Sequence, residues 1–85
     1  MGLFTKFFGG MALKQIKTLA EQGNVAAQIE IGAMYALGED VVQDYVQAAY
    51  WYRKAAEQGD VDAQNKLAHM IAVLEAKNDG LIARA

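Results

Sequence analysis

The chain has 85 residues, a formal net charge of −2, a hydrophobic fraction of 54% and neither cysteine nor proline. That length allows one domain, and the missing cysteines exclude a disulfide staple and a thiolate metal site. Lys6, Lys14 and Lys17 are the only charges among the first 20 residues, and ten acids stand against five bases in the rest. An acidic body speaks against nucleic acid, which asks for a basic stripe.

Residues 1–10, MGLFTKFFGG, place Leu3, Phe4, Phe7 and Phe8 at the i, i+1, i+4, i+5 spacing of one helical face. Gly9-Gly10 breaks or hinges the segment. Three readings stand: a short helix over the end of the core, a self-association arm for a second copy, or a membrane-surface anchor helped by Lys6. Lys6 also stands where an N-terminal acylation signal wants Ser or Thr. No secretory pattern follows, and no 18-residue apolar run exists to span a membrane. A cytoplasmic location is the expectation.

Residues 11–22 read as a first helix, with Leu13, Ile16, Leu19 and Ala20 on one face and Gly23 ending it. Asn24 caps a second helix over residues 25–37 by offering its side-chain oxygen to free backbone donors. Ala27, Ile31, Met34 and Tyr35 share a face of that helix. Gly32 sits inside it at a cost of about 1 kcal/mol against alanine, so a neighbouring helix is expected to come close there. Gly38-Glu39-Asp40-Val41 is the next turn, and Asp44 caps a third helix over 45–58. Its residues Tyr45, Ala48, Trp51, Tyr52 and Ala55 are spaced for burial. Asp60 caps a fourth helix carrying Ala63, Leu67, Met70, Ile71 and Leu74. That helix is expected to run to about Lys77 and to stop at Asn78-Asp79-Gly80, with a short frayed tail beyond. The expected domain plan is therefore an apolar segment 1–10, a helical domain 11–77 and a tail 78–85.

One stretch repeats itself. Ala20-Glu21-Gln22-Gly23-Asn24-Val25-Ala26-Ala27-Gln28 returns 36 residues later as Ala56-Glu57-Gln58-Gly59-Asp60-Val61-Asp62-Ala63-Gln64, with seven of nine letters unchanged. The two differences, Asn24 to Asp60 and Ala26 to Asp62, are to residues that suit helix starts. A period of this size is the mark of a repeat architecture.

The pattern resembles the Sel-one-like repeat, a relative of the tetratricopeptide repeat. The carrying residues are Ala27, Gly32, Met34, Tyr35, Gly38, Val41, Asp44, Ala48, Trp51, Tyr52, Ala55, Ala56 and Gly59, with Trp51-Tyr52-Arg53-Lys54-Ala55-Ala56-Glu57-Gln58-Gly59 the most specific run. One full repeat covers about residues 24–59, with half-repeats on each side. Asp40 and Val42 depart from the family, replacing a second turn glycine and a common proline. The resemblance implies an all-α fold of antiparallel helix pairs stacked as a short right-handed α-solenoid. It also implies an adaptor or scaffold role in binding proteins, with the first helix of each pair lining the concave side. Carried over, Ile29, Ala33 and Leu37 face the groove from the second helix, and Asn65, His69 and Val73 from the fourth. Stacked repeats ordinarily need about three units to cover a core, so the open ends call for the N-terminal segment, a second copy such as a homodimer, or a partner.

Chemistry finds little support in the residues. The chain holds no serine or cysteine, and neither Thr5 nor Thr18 has a histidine near it in sequence. His69 is the sole histidine, whereas a zinc site needs several His or Cys ligands. Glu39, Asp40 and Asp44 read as a turn and cap rather than a calcium loop. No phosphate-cradling glycine loop is present. The expectation is a non-enzymatic module without metal or cofactor. It binds a protein or peptide through the groove, or failing that associates with itself or with a membrane surface through Leu3, Phe4, Phe7 and Phe8.

Overall fold

A computed structural model describes the backbone of residues 11–84 and the side chains of residues 11–78. The N-terminal apolar segment, with Leu3, Phe4, Phe7 and Phe8, lies outside the described residues. Among the described residues four helices follow one another: α1 Leu13–Glu21, α2 Val25–Leu37, α3 Tyr45–Glu57 and α4 Val61–Arg84. Each packs on the next, α1 on α2, α2 on α3 and α3 on α4. The architecture is all-α, antiparallel helix pairs stacked as a short solenoid.

The duplicated nonapeptide builds one corner twice. α1 ends where Gly23 takes φ +97° and α3 ends where Gly59 takes φ +94°. In the first corner Gly23 N donates to Ala20 O at 3.1 Å and Asn24 N to Leu19 O at 3.0 Å. In the second, Gly59 N donates to Ala56 O at 2.9 Å and Asp60 N to Ala55 O at 3.5 Å. Both are the paired bonds that satisfy the last free carbonyls of a helix and need a left-handed residue between them. The residue after each glycine then starts the next helix. Asn24 Oδ1 accepts from Ala27 N, and Asp60 Oδ1 from Ala63 N, each at 2.8 Å. Ala27 and Ala63 are both fully buried beneath those caps.

The longer connection between α2 and α3 is closed by other means. Gly38 (φ +72°) ends α2, and Glu39 N donates to Met34 O at 3.0 Å. Asp40 takes φ +61°, the left-handed conformation expected where the family has glycine. Gln43 Nε2 donates to Ala36 O at 2.9 Å, and Asp44 Oδ1 caps α3 by accepting from Val46 N and Gln47 N.

Two clusters form the core. Ile16 and Ala20 of α1 meet Ala27, Ile31 and Met34 of α2 and Trp51 of α3. Ala33 of α2 meets Ala48 and Tyr52 of α3 and Met70 of α4. Gly32 has the reason it needed: a Cβ there would lie 2.7 Å from Tyr52 Cε1 and 2.8 Å from Cδ1. Trp51 and Tyr52 are each 4% exposed. Trp51 Nε1 is buried with no acceptor among the described residues.

The fourth helix corrects one expectation. Asn78-Asp79-Gly80 does not stop it, and α4 continues to Arg84. A glycine inside a helix costs only about 1 kcal/mol. Gly23 and Gly59 end their helices because a capping Asn24 or Asp60 follows each, whereas Leu81 follows Gly80 and offers no capping oxygen. Lys77 Nζ lies 4.9 Å from the Tyr45 ring centroid, holding α4 against the start of α3 as it passes.

Candidate interaction groove

α2 and α4 are the first helices of successive units, and a concave cavity of about 490 Å³ opens between them. One wall is Ala33, Ala36 and Leu37 of α2. The other is Asn65, His69 and Met70 of α4, joined by Asp62 and Lys66 nearer its start, and Tyr45 and Tyr52 of α3 complete the lining. Each wall follows from helical spacing: Ala33 and Leu37, like Asn65 and His69, are four apart and share a face.

Four of the six groove residues expected from the sequence line this cavity: Ala33, Leu37, Asn65 and His69. Two do not. Ile29 is half-buried against the cluster of Ala33, Ala48, Tyr52 and Met70, one turn nearer the start of α2. Val73 is half-buried one turn beyond His69, outside the lining. The lining from Tyr45 and Tyr52 was missed, because both read as core from their spacing within α3. Tyr52 is indeed core, yet it also reaches the cavity. No periodicity singles out Lys66, which stands where α2 has the buried Glu30.

The walls differ in chemistry. Leu37 is 58% exposed, a large apolar side chain left at the mouth. Opposite it, Lys66 Nζ pairs with Asp62 Oδ1 at 3.3 Å across one helical turn. Both side chains are open enough that the pair adds little stability. Burial, and then the Asp62 carboxylate, pushes the Tyr52 phenol up to about 12. The groove is apolar on the α2 side, with acid, base, imidazole and amide along α4.

Among the described residues no three His, Asp or Glu side chains come together as a metal cluster. No described helix is long and apolar enough to cross a membrane.

The Sel1 repeat family model matches residues 25–60, which is α2, the turn, α3 and the second corner. That segment of the chain is similar to the Sel1 repeat. It takes in the whole α2–α3 pair, and the matching corners extend the same pattern into α1 and α4. The chain is similar to the secretory immunoglobulin A-binding protein EsiB of Escherichia coli O6:H1, 44% identical over 47 residues. Those residues are 55% of this chain and 10% of EsiB, so the chain spans about a tenth of that relative. No solved structure matches the chain. Sel1-repeat proteins generally mediate contacts between proteins and are typically non-catalytic.

Proposed function

We propose that the groove between α2 and α4 binds a segment of a protein partner, making the chain an adaptor or scaffold module. The observation that carries this reading is the exposed Leu37 on an apolar wall, facing a polar wall of Asn65, Lys66 and His69 across a 490 Å³ cavity. An amphipathic peptide suits that pairing. Its apolar side chains would cover Leu37, Ala33 and Ala36, and its polar groups would meet α4. Burying the rest of Leu37 contributes roughly 1 kcal/mol, and orientation comes from the hydrogen bonds along α4. EsiB is named for binding secretory immunoglobulin A. From that we take only the class of ligand, a polypeptide, and not the immunoglobulin.

Capture of partners on the immobilised chain, followed by titration calorimetry with the recovered protein, tests the reading. Leu37→Asp should weaken binding at least about tenfold, because an unpaired carboxylate would be desolvated at the contact. Val46→Asp, at an exposed valine on α3 beyond the cavity lining, should leave binding unchanged. Equal affinity in the wild type and the Leu37→Asp variant would place the contact elsewhere.

A further inference from the structure

The contact between successive units is made once inside the chain. Gln58 Nε2 donates to Gly23 O and to Gln28 Oε1, both at 3.0 Å, so the later corner holds the earlier one. The donor half belongs to the later unit and the acceptor half to the earlier. A shift by 36 residues turns Gln22 into Gln58, and turns Gly23 and Gln28 into Gly59 and Gln64. Gln22 is thus a donor half with no earlier corner among the described residues, and Gly59 with Gln64 is an acceptor half with no later one. Gln22 and Gln64 are both exposed. The acceptor side is already shaped: Gln28 Nε2 donates to Ala20 O at 3.0 Å, and Gln64 Nε2 donates to Ala56 O at 3.4 Å in the same attitude.

The helix faces follow the same rule. On α2, the face meeting α3 has Gln28, Ile31 and Gly32 buried. On α4 the corresponding Gln64 and Ala68 are exposed and Leu67 is half-buried. No described helix stands where α3 stands on α2. One helix of this chain has the α3 register, and it is α1: Gln15, Leu19 and Gln22 precede Trp51, Ala55 and Gln58 by 36 residues. Among the described residues α1 also carries a shallow concavity lined by Met11, Gln15 and Leu19 among others, with Met11 and Leu19 half-buried against the core.

We propose that α4 of one copy receives α1 of a second copy, repeating between chains the α2–α3 contact made within each. Gln22 of the incoming copy donates to Gly59 O and Gln64 Oε1 of the receiving one. The contact is head-to-tail and uses two different patches, so it does not close as a two-fold pair. It continues into a ring or a filament, and the α2–α4 grooves of successive copies come into line. This inference stands apart from the groove reading, because it uses the ends of the solenoid and not its concave side. The contact is weaker than the internal one, since α1 has 9 residues against 13 in α3 and offers Gln15 where α3 offers Trp51.

Sedimentation of the full chain over a concentration series reaching the millimolar range tests it, with two end-specific variants. Gln15→Glu keeps an oxygen for the Ala12 N bond now made by Gln15 Oε1 at 2.9 Å, and Ala68 is exposed, so Gln15→Glu and Ala68→Glu should retain wild-type helicity. The wild type should grow past a dimer with concentration. Each variant alone should associate at least about tenfold more weakly. Their equimolar mixture should regain affinity and stop at a one-to-one heterodimer, because each supplies the end the other lacks. Gln22→Ala, which removes only the exposed donor, should weaken wild-type growth about fivefold. A wild type that stays monomeric throughout would overturn the proposal. So would a Gln15→Glu variant that dimerises alone, which would mean a two-fold contact through α4, or a mixture that associates no better than its parts.

Discussion

Gly32 and Tyr52 show how one atom decides a helix crossing. Alanine is the better helix former by about 1 kcal/mol, yet its Cβ would meet the Tyr52 ring at 2.7 Å, and that ring is itself buried. Overpacking of this kind costs about 1–3 kcal/mol. Gly32→Ala should therefore lower the urea midpoint despite the gain in propensity. An unchanged or higher midpoint would mean the ring gives way freely. Glu30 is the other residue whose surroundings govern it. It is 5% exposed on α2, and burial, then the Glu39 carboxylate, raises its pKa from 4.5 to about 7. Between those values the folded chain holds a proton that the unfolded chain has released, so stability falls as pH rises through that window. The penalty is complete above the folded value and absent below the unfolded one. Glu30→Gln should raise the melting temperature at about pH 8, by about 5 °C for each kcal/mol recovered, and change little at about pH 4. Gly32 was legible in the sequence, because a glycine inside a helix demands a close neighbour. Glu30 was not, because nothing in the spacing of α2 marks a carboxylate for burial.

At the scale of elements, the corner is the unit that repeats. Its parts are local: a left-handed glycine, two backbone bonds back into the finished helix, and a side-chain oxygen that opens the next. Such parts are written in neighbouring letters, which is why both corners and all three caps could be read in advance. Replacing Asn24 or Asp60 with alanine should cost about 1 kcal/mol each. The two losses should be close to additive, since the caps serve different helices. Chemical denaturation of the two single variants and the double variant measures this. The end of α4 was misread by the same local logic, applied where it does not hold. Gly80 looks like Gly23 and Gly59, but no capping residue follows it, and α4 continues through it to Arg84. Gly23, Gly38 and Gly59 take left-handed φ at the ends of their helices, whereas Gly80 is carried within α4.

On the largest scale, the described residues form a short solenoid with a concave side between α2 and α4 and two unlike faces on α1 and α4. Its walls were legible because Ala33, Leu37, Asn65 and His69 are read along single helices. The contributions of Tyr45 and Tyr52 were not, because they depend on how α3 lies between its neighbours, which no period within α3 states. Ile29 and Val73 share the helical stripe of the groove residues but sit one turn outside the cavity lining. The central claim is that this concave side is where another polypeptide is held. The most direct measurement is the affinity of a captured partner for the wild type, Leu37→Asp and Val46→Asp, compared by calorimetry with helicity checked in each. A loss of at least about tenfold confined to Leu37→Asp is the result the groove predicts. Loss with Val46→Asp and full binding with Leu37→Asp would contradict it.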